Sequence, residues 1–401
     1  MASEEVRLSL EQQHSVEMCV DTSQRIVGVT GGAGTGKTLV LGKAIAELAK
    51  GNKYVLCAPT GRAAKRIYEL TKIKAKTIHR LLEFPQPDEA TDAPPNEPRR
   101  NAFNPLEENV VFVDEASMVS PTLYRQLLEA LPKGGCVRFF GDNNQLPPVE
   151  EGDPPFIDVL ENYPSVELTF NFRSEDNIVS NALRILEGRI PVRNAGFEIF
   201  YMDDPIVGVT KFAGQEFMRN DHQIIMPTRK GKAGTLRVNP SLQLKFNGKG
   251  ETLRLDRYDE KEAPLTVRAK DKFIWIKNDY KLDLFNGDIG TIDWIDPEEG
   301  DLGLITPERE ITVPPRVKTY NSYIGTMINY DPRKQLELGY AITTHKSQGS
   351  EFDTVIYCMS RSQAFLLNRR NFYTAITRAK RKVILVTDRR AMGLSMRRAQ
   401  M

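Results

Sequence analysis

The stretch Arg25–Lys50 reads RIVGVTGGAGTGKTLVLGKAIAELAK, and its three pieces follow one another without a break. RIVGVT is a short β-branched apolar run, LVLGKAIAELAK has helical spacing, and the turn between them is Gly31–Thr38, GGAGTGKT. That turn fits G-x-x-x-x-G-K-[ST] through Gly31, Gly36, Lys37 and Thr38. A strand before it and a helix after it are the context the pattern needs. Gly31, Gly32, Ala33, Gly34, Thr35 and Gly36 can then turn successive backbone N–H groups toward one phosphate, and the helix start adds its positive dipole end. Lys37 is expected to reach the outer phosphates, and Thr38 to offer its hydroxyl to Mg²⁺.

A second run, Asn109–Met118, reads NVVFVDEASM, with apolar residues leading into adjacent carboxylates. At the tip of such a strand Asp114 can hold Mg²⁺ through water, while Glu115 orients and deprotonates an attacking water. Joined to a phosphate loop, the pair predicts hydrolysis of a nucleoside triphosphate.

Further apolar runs lie at Tyr54–Thr60, Val137–Asp142, His222–Thr228, Asp353–Met359 and Lys382–Asp388, with helical patterns such as Arg62–Leu70 and Pro121–Leu131 among them. Near-continuous apolar strands alternating with helices predict parallel sheets covered on both faces. The runs fall into two blocks, so an α/β chain with two such domains is expected, the first over 1–165 and the second over 166–250 and 336–401. Two stretches break the pattern. Residues 84–108 hold six prolines in 25 positions, which excludes a helix or central strand and predicts an excursion from the first domain. Residues 251–335 carry Phe273–Lys277, Asp288–Ile295, Leu302–Thr306 and Glu310–Val313 between Asn-Gly, Pro and Glu-Glu-Gly turns. That spacing predicts a small antiparallel barrel inserted in the second domain.

Composition sets the outer bounds. At 401 residues the chain is too long for one ordinary core, and 40% hydrophobic with 27% charged residues excludes a disordered one. No window approaches ~18 uninterrupted apolar residues, and the N-terminal MASEEVRLSLEQQ lacks a basic-then-apolar layout, so a soluble, unexported chain with no membrane partner is expected. Cys19, Cys57, Cys136 and Cys358 stand apart, with neither a CxxC pair nor a Cys/His cluster. The net charge of +2 hides an asymmetry: residues 361–401 carry 11 Lys/Arg and one acid, leaving −8 on residues 1–360. Such a basic segment is either a solvated face or part of a phosphate-binding surface.

Four further motifs narrow the function: GDNNQLPPV at Gly141–Val149, LTFNFRS at Leu168–Ser174, AITTHKSQGSEF at Ala341–Phe352 and NFYTAITRAK at Asn371–Lys380. With these, the chain from about Leu8 to Asp388 closely resembles the superfamily 1 helicases. QLPPV and HKSQGSEF are similar to the 5′-to-3′ branch, which includes RecD-like and phage Dda-like enzymes. The resemblance implies two RecA-like motor domains, residues 84–108 as a pin or wedge, and residues 251–335 as an SH3-like β-barrel without an extended tower. It implies an ATP-dependent DNA helicase, using ATP and Mg²⁺, that translocates 5′ to 3′ on single-stranded DNA and unwinds duplex. The expected working form is a monomer on forked duplex DNA beside replication or recombination proteins; the missing signal layout suggests the cytoplasm, and the compact size fits a phage or bacterial host. An RNA helicase and an ATPase-like recruiting subunit are the rival readings; intact Lys37, Glu115 and Arg378 weigh against the second.

Carried over position by position, the resemblance assigns roles. Gln12 would grip adenine, with Gln13 its possible substitute, and Gln145 would sense the γ-phosphate. Arg173 and Arg378 would bring fixed charge from the second domain. Tyr373 and Glu351 would lie near the nucleotide and the sugar. For DNA, the implied contacts are Pro59, Thr60, Arg62, Thr77 and His79 in the first domain and Thr343, Thr344, His345 and Lys346 in the second. Within the Pro-rich segment, where Phe84 and Phe103 are the aromatics, Phe103 could stack on the terminal base pair. Trp275 and Trp294 are expected in the barrel core.

Overall fold

The structure, a computed structural model, describes residues 7–48, 51–85, 97–148, 150–170, 177–257, 259, 261–279, 281–321 and 326–399. The chain forms two compact units, residues 1–175 and 176–401.

In the first unit, β1 (Ile26–Gly31), β2 (Tyr54–Ala58), β3 (Ala75–Thr77), β4 (Val110–Val113), β5 (Cys136–Gly141) and β6 (Ser165–Leu168) form a parallel sheet of order β3-β2-β4-β5-β1-β6. Every residue of β1, β4 and β5 is buried, as strands covered on both faces require, including the one charged residue among them, Arg138 of β5. Period-two alternation splits them between two cores. Val27, Val29, Phe112 and Phe140 pack with Val40, Leu41 and Ile45 of α2 (Lys37–Leu48), beneath α1 (Leu10–Val20) and α3 (Gly61–Thr71). Ile26, Val111, Val137 and Phe139 face Leu123 and Leu127 of α5 (Pro121–Glu129) and Val159 of α6 (Pro155–Asn162), past the short α4 (Ile78–Leu81). Each such side chain contributes about 1.5–3 kcal/mol on burial. The sheet runs beyond residue 165: β6 pairs with β1 at Gly28–Gly31, so the strand over Ser165–Leu168 belongs to this unit. SVEL was not among the expected strands because it is short and only half apolar, as befits an edge.

The second unit opens with α7 (Asn177–Leu186), β7 (Phe197–Tyr201), α8 (Pro205–Phe212), β8 (His222–Met226) and α9 (Thr235–Asn247). An antiparallel region follows. β9 (Thr252–Leu255) pairs with β10 (Leu265–Arg268). Next come β11 (Lys272–Trp275), β12 (Ile289–Ile295), β13 (Leu302–Ile305), β14 (Glu310–Val313) and the two-stranded ribbon β15 (Val317–Asn321) and β16 (Thr326–Tyr330). β17 (Leu336–Leu338) pairs with β11, giving a five-stranded ladder β14-β13-β12-β11-β17. The inserted sheet therefore reaches residue 338, and its ladder runs from edge to edge. The chain returns through β18 (Ala341–Thr343), α10 (Thr344–Ser347), β19 (Phe352–Met359), α11 (Arg369–Ile376), β20 (Ala379–Thr387) and α12 (Arg389–Arg397). A five-stranded parallel sheet results, of order β18-β8-β19-β20-β7. One apolar cluster joins Ile224, Met226 and Ile356 of this sheet to Phe273, Trp275, Ile292 and Leu304 of the insertion.

Trp294 departs from expectation. Trp275 is fully buried, but a register shift between Ile292 and Trp294 turns the second tryptophan outward, leaving it 41% exposed. Its indole lies over Gly303, where any Cβ would collide with the ring. The four cysteines are buried free thiols. Among the described residues no helix is long and apolar enough to cross a membrane. The basic C-terminal stretch is partly consumed inside its own unit: Lys380 pairs with Glu351, Arg381 with Asp353 and Lys382 with Glu198.

Candidate nucleotide and nucleic-acid site

The parallel register of β4, β5 and β1 decides what meets at one sheet edge. Thr30 stands opposite Gly141, and Phe139 opposite Val113. Three loops thus leave neighbouring strand ends together: Gly31–Thr38 after β1, Asp114–Glu115 after β4 and Asp142–Gln145 after β5. Ligands of parallel α/β sheets bind at this carboxyl edge.

Gly36 has φ +85°, a left-handed conformation that a side chain would strain, and α2 begins at the next residue. Lys37 folds back on the loop, its Nζ donating to Gly31 O at 2.5 Å and Gly32 O at 2.9 Å. Thr35 closes the turn through Oγ1 to Gly32 O at 2.9 Å. Thr38 is half-buried beside Lys37 in the first turn of α2.

Asp114 accepts one hydrogen bond, from the Glu115 N–H at 2.8 Å. Burial, helped by the neighbouring Glu115 charge, pushes its carboxyl up to about 7, with Lys37 pulling the other way. Glu115 takes φ +52° and ψ 39°, a left-handed conformation rare for a residue with a side chain. The Asp114–Glu115 pair is short of positive charge, which a divalent cation would supply; the donor set of Thr38 and Asp114 suits Mg²⁺. Gln145 is 5% exposed; its Nε2 lies 3.4 Å from Asp142 Oδ2, and its Oε1 has no partner. The Ser117 hydroxyl, two residues past Glu115, is also buried without a partner. No motif drew attention to it, since a serine in DEASM gives no signal of its own.

Gln12 is tied at both ends. Its Oε1 accepts from the Ser9 N–H at 3.0 Å in a helix-capping pair, and its Nε2 donates to Thr35 O at 3.1 Å. Gln12 thus holds the phosphate loop to α1, while Gln13 is exposed and bonds Leu8 O.

In the second unit Arg378 is 5% exposed, two residues beyond the end of α11. Its guanidinium reaches Thr374 O at 3.1 Å, Thr377 Oγ1 at 3.4 Å and Ser350 O at 3.5 Å, and it has no carboxylate partner among the described residues. Tyr373 is 3% exposed within the apolar core of that unit. Glu351 pairs with Lys380 at 3.6 Å. Arg173 lies outside the described residues.

Of the expected DNA contacts, Thr60, Thr77 and Thr343 share one arrangement: each caps a helix, accepting from the N–H of Ala63, Arg80 or Lys346. Pro59 and Arg62 are half-buried on either side of the Thr60 cap. His79 is exposed against Phe84, the ring centroids 4.9 Å apart. Thr344 corrects the reading: it is fully buried, its hydroxyl donating to Asn371 Oδ1, so it cannot touch a strand. On either side of that inward turn, Thr343 and His345 stay half-buried, and burial lowers the His345 pKa. Burial also lowers the Lys346 pKa; its Nζ donates to Asn286 Oδ1 at 3.2 Å. Lys346 borders a cavity of about 230 Å³ with Arg257, whose Nε and Nη1 are buried without partners. A lone arginine within the insertion carries no sequence signal.

Residues 86–96 of the Pro-rich segment lie outside the described residues. The rest forms a tight turn in which Asn101 Oδ1 accepts from the Phe103 N–H at 2.9 Å and the Asn104 N–H at 3.2 Å. Arg100 anchors it to Glu83 at 2.8 Å. Phe103, near its tip, is 100% exposed.

Comparison with known proteins agrees with this layout. Residues 12–151 match the family described as AAA domain, and residues 338–386 the UvrD-like helicase C-terminal domain. The chain is 32% identical over 384 residues to the ATP-dependent RecD2 DNA helicase of Deinococcus radiodurans, covering 93% of this chain and 48% of that protein. It is 30% identical over 418 residues to the RecBCD enzyme subunit RecD of Mycolicibacterium smegmatis, covering 92% of this chain and 69% of that protein. In fold it resembles the Pif1 helicase from Bacteroides in complex with ADP-AlF3 and ssDNA, with TM-score 0.59, 23% identity and coverage of 95% and 92%. It likewise resembles Pif1 helicase from Candida albicans, with TM-score 0.60, 19% identity and coverage of 97% and 98%. The chain thus spans about half the length of the Deinococcus protein.

Proposed function

The chain belongs to the superfamily 1 helicases of RecD/Pif1 type, and from that membership we propose that it is an ATP-dependent DNA helicase moving 5′ to 3′ on single-stranded DNA. The observation that carries this reading is the convergence of Gly31–Thr38, Asp114–Glu115 and Gln145 at three adjacent strand ends.

The loop N–H groups and Lys37 hold the phosphates of ATP. To do so Lys37 exchanges the Gly31 and Gly32 carbonyls for phosphate oxygens, a stronger charge-assisted partner. Thr38 and Asp114 hold Mg²⁺, which when bound neutralises phosphate charge. Glu115 takes the proton of the attacking water, and the unpartnered end of Gln145 orients that water or the γ-phosphate. Arg378 supplies charge to the same γ-phosphate, as Arg173 does, and its thin set of contacts leaves it available. Gln12 fixes the loop against α1 and, on exchanging the Thr35 carbonyl, meets the adenine edge; Tyr373 backs the nucleotide and Glu351 the sugar. DNA lies along the capped turns at Pro59–Arg62, Thr77–His79 and Thr343–Lys346, except Thr344. The residue 97–108 turn serves as the wedge at a fork, with Phe103 stacking on the last base pair. The inserted sheet acts as an SH3-like module beside the track. The enzyme works as a monomer, in the cytoplasm, with replication or recombination proteins.

The test uses two partial duplexes, one with a 5′ and one with a 3′ single-stranded tail, given ATP and Mg²⁺. Unwinding of the 5′-tailed substrate alone is expected, and unwinding of only the other reverses the polarity. Lys37→Ala abolishes turnover in a folded protein, and Glu115→Gln keeps nucleotide binding while losing hydrolysis by orders of magnitude. DNA-stimulated turnover that survives either substitution removes the site.

A further inference from the structure

We propose that Asn371 is a positioning residue that couples the Thr343–Lys346 turn to Arg378, so that DNA on the turn sets the arginine for hydrolysis. The inference rests on the helicase reading above and adds the route by which the DNA track reaches the ATP chemistry within the second unit.

The route is a buried polar junction. Asn371 Oδ1 accepts from the Thr344 hydroxyl at 2.8 Å and from the Tyr357 hydroxyl at 2.9 Å. The Asn371 N–H donates to Asn368 Oδ1 at 2.8 Å, the cap of α11. The Thr344 hydroxyl also lies 3.4 Å from Met226 O at the end of β8. Thr344, Tyr357 and Asn371 are all 0% exposed, so these bonds have no water to replace them. Three elements of the second unit therefore meet on one amide, α10, β19 and α11, and β8 joins them through the Thr344 hydroxyl. Thr344 is the inward residue of the turn whose neighbours, Thr343, His345 and Lys346, are only half-buried. Arg378 follows Asn371 by seven residues, about two helical turns, and its Nε bonds Thr374 O on the same helix.

Two features argue for a moving part rather than simple packing. Asn371 Nδ2 is buried without a partner, so this side chain is used for its oxygen alone. An apolar residue of that shape would pack without leaving a donor unmet. And Arg378 sits where a small rotation of α11 changes its reach, since its own contacts, at 3.1–3.5 Å, hold it loosely. A strand pressing on α10 shifts Thr344; the amide passes that shift to α11.

The experiment measures ATP turnover of the full chain with and without a saturating oligothymidylate, together with oligonucleotide affinity by fluorescence anisotropy. In Asn371→Leu, which keeps bulk and deletes both bonds, DNA-stimulated kcat should fall about tenfold, with basal kcat and DNA affinity unchanged. Asn371→Asp, which retains the accepting oxygen, should recover the stimulation. If Asn371→Leu does not fold, Tyr357→Phe removes one bond, keeps the ring, and should lower stimulated kcat selectively. Stimulation equal to wild type in folded Asn371→Leu or, failing that, in Tyr357→Phe overturns the coupling, and so does an equal fall in basal and stimulated rates. Wild-type protein that ignores DNA overturns the helicase reading beneath it.

Discussion

Arg138 and Arg378 are both buried, one in each unit, and they are held in opposite ways. Arg138, in β5 and 0% exposed, donates at 2.7–3.0 Å to the carbonyls of Cys19, Asp21, Gln24 and Val137. Arg378 reaches three acceptors at 3.1–3.5 Å. The carboxylates repeat the contrast. Asp271, in the second unit, accepts from Tyr340, Asn247, Gln243 and the Arg268 N–H. Asp114 accepts from the Glu115 N–H alone. Burying a charge is costly in either case, and saturation with donors or acceptors offsets the cost. Where saturation is missing, the fold carries a penalty that a ligand would remove, which is the reason both thinly served charges enter the proposed site.

The largest effect should come from the thinly held arginine. Arg378→Ala is expected to cut DNA-stimulated kcat by roughly 10³-fold, with much smaller changes in ATP affinity and melting temperature. Steady-state turnover alongside a thermal melt checks it; wild-type turnover would make Arg378 as structural as Arg138. The converse substitution should follow. Arg138→Met strands several buried carbonyls, each costing about 1–3 kcal/mol, so a loss of about 3 kcal/mol or more in urea unfolding is expected. The molecules that remain folded should hydrolyse ATP normally, and lost turnover without lost stability would break the contrast. Phe103, fully exposed, and Trp275, fully buried, sharpen it among aromatics. Phe103→Ala should slow fork unwinding roughly fivefold or more, the worth of one stacked base, while ATPase and melting stay put. A change in melting but not in unwinding would assign Phe103 to packing.

The smallest effect concerns Asp114. Its carboxyl titrates at about 7 in the fold against 3.8 ordinarily, so across that window the folded state binds the proton more tightly. Stability of the empty protein from this group is therefore greatest below the ordinary value and falls as pH rises toward the raised one. Asp114→Asn should melt a few degrees higher than wild type at pH 8 without nucleotide, and equally at pH 3. A lower melting temperature at pH 8 would show Asp114 to be as well served as Asp271.

Much of this was legible in the chain because parallel strands buried on both faces spell unbroken apolar runs, and a phosphate loop needs its glycines in place. VVFV, VIYC and VILV announce themselves that way; SVEL, half-exposed at an edge, does not. Side-chain direction was less legible. Thr343–Lys346 reads as one polar string, yet Thr344 turns inward while its neighbours stay half-buried. Alternation along β12 would have buried Trp294, had the register shift after Ile292 not reversed it. Charge counting exaggerated the basic C-terminus, since pairing with Glu198, Glu351 and Asp353 depends on residues distant in sequence. The same distance hid Asn371, whose partners lie 14 and 27 positions away.

The insertion looks detachable on paper, but its apolar interior is continuous with that of the parallel sheet: Phe273 and Trp275 belong to the same cluster as Ile224, Met226 and Ile356. Lys272 is fixed to the carbonyls of Phe217, Arg219 and His222, and Asn239 of α9 bonds Leu338 O and Ala341 N across the return. For anyone building chimeras, the 251–338 segment is therefore not a cassette. Transplanting a relative's insertion requires transplanting its seat, the inner faces of β8, α9 and β19, and a shortened chain joined directly from α9 to β18 would expose an oily surface where a wall had been.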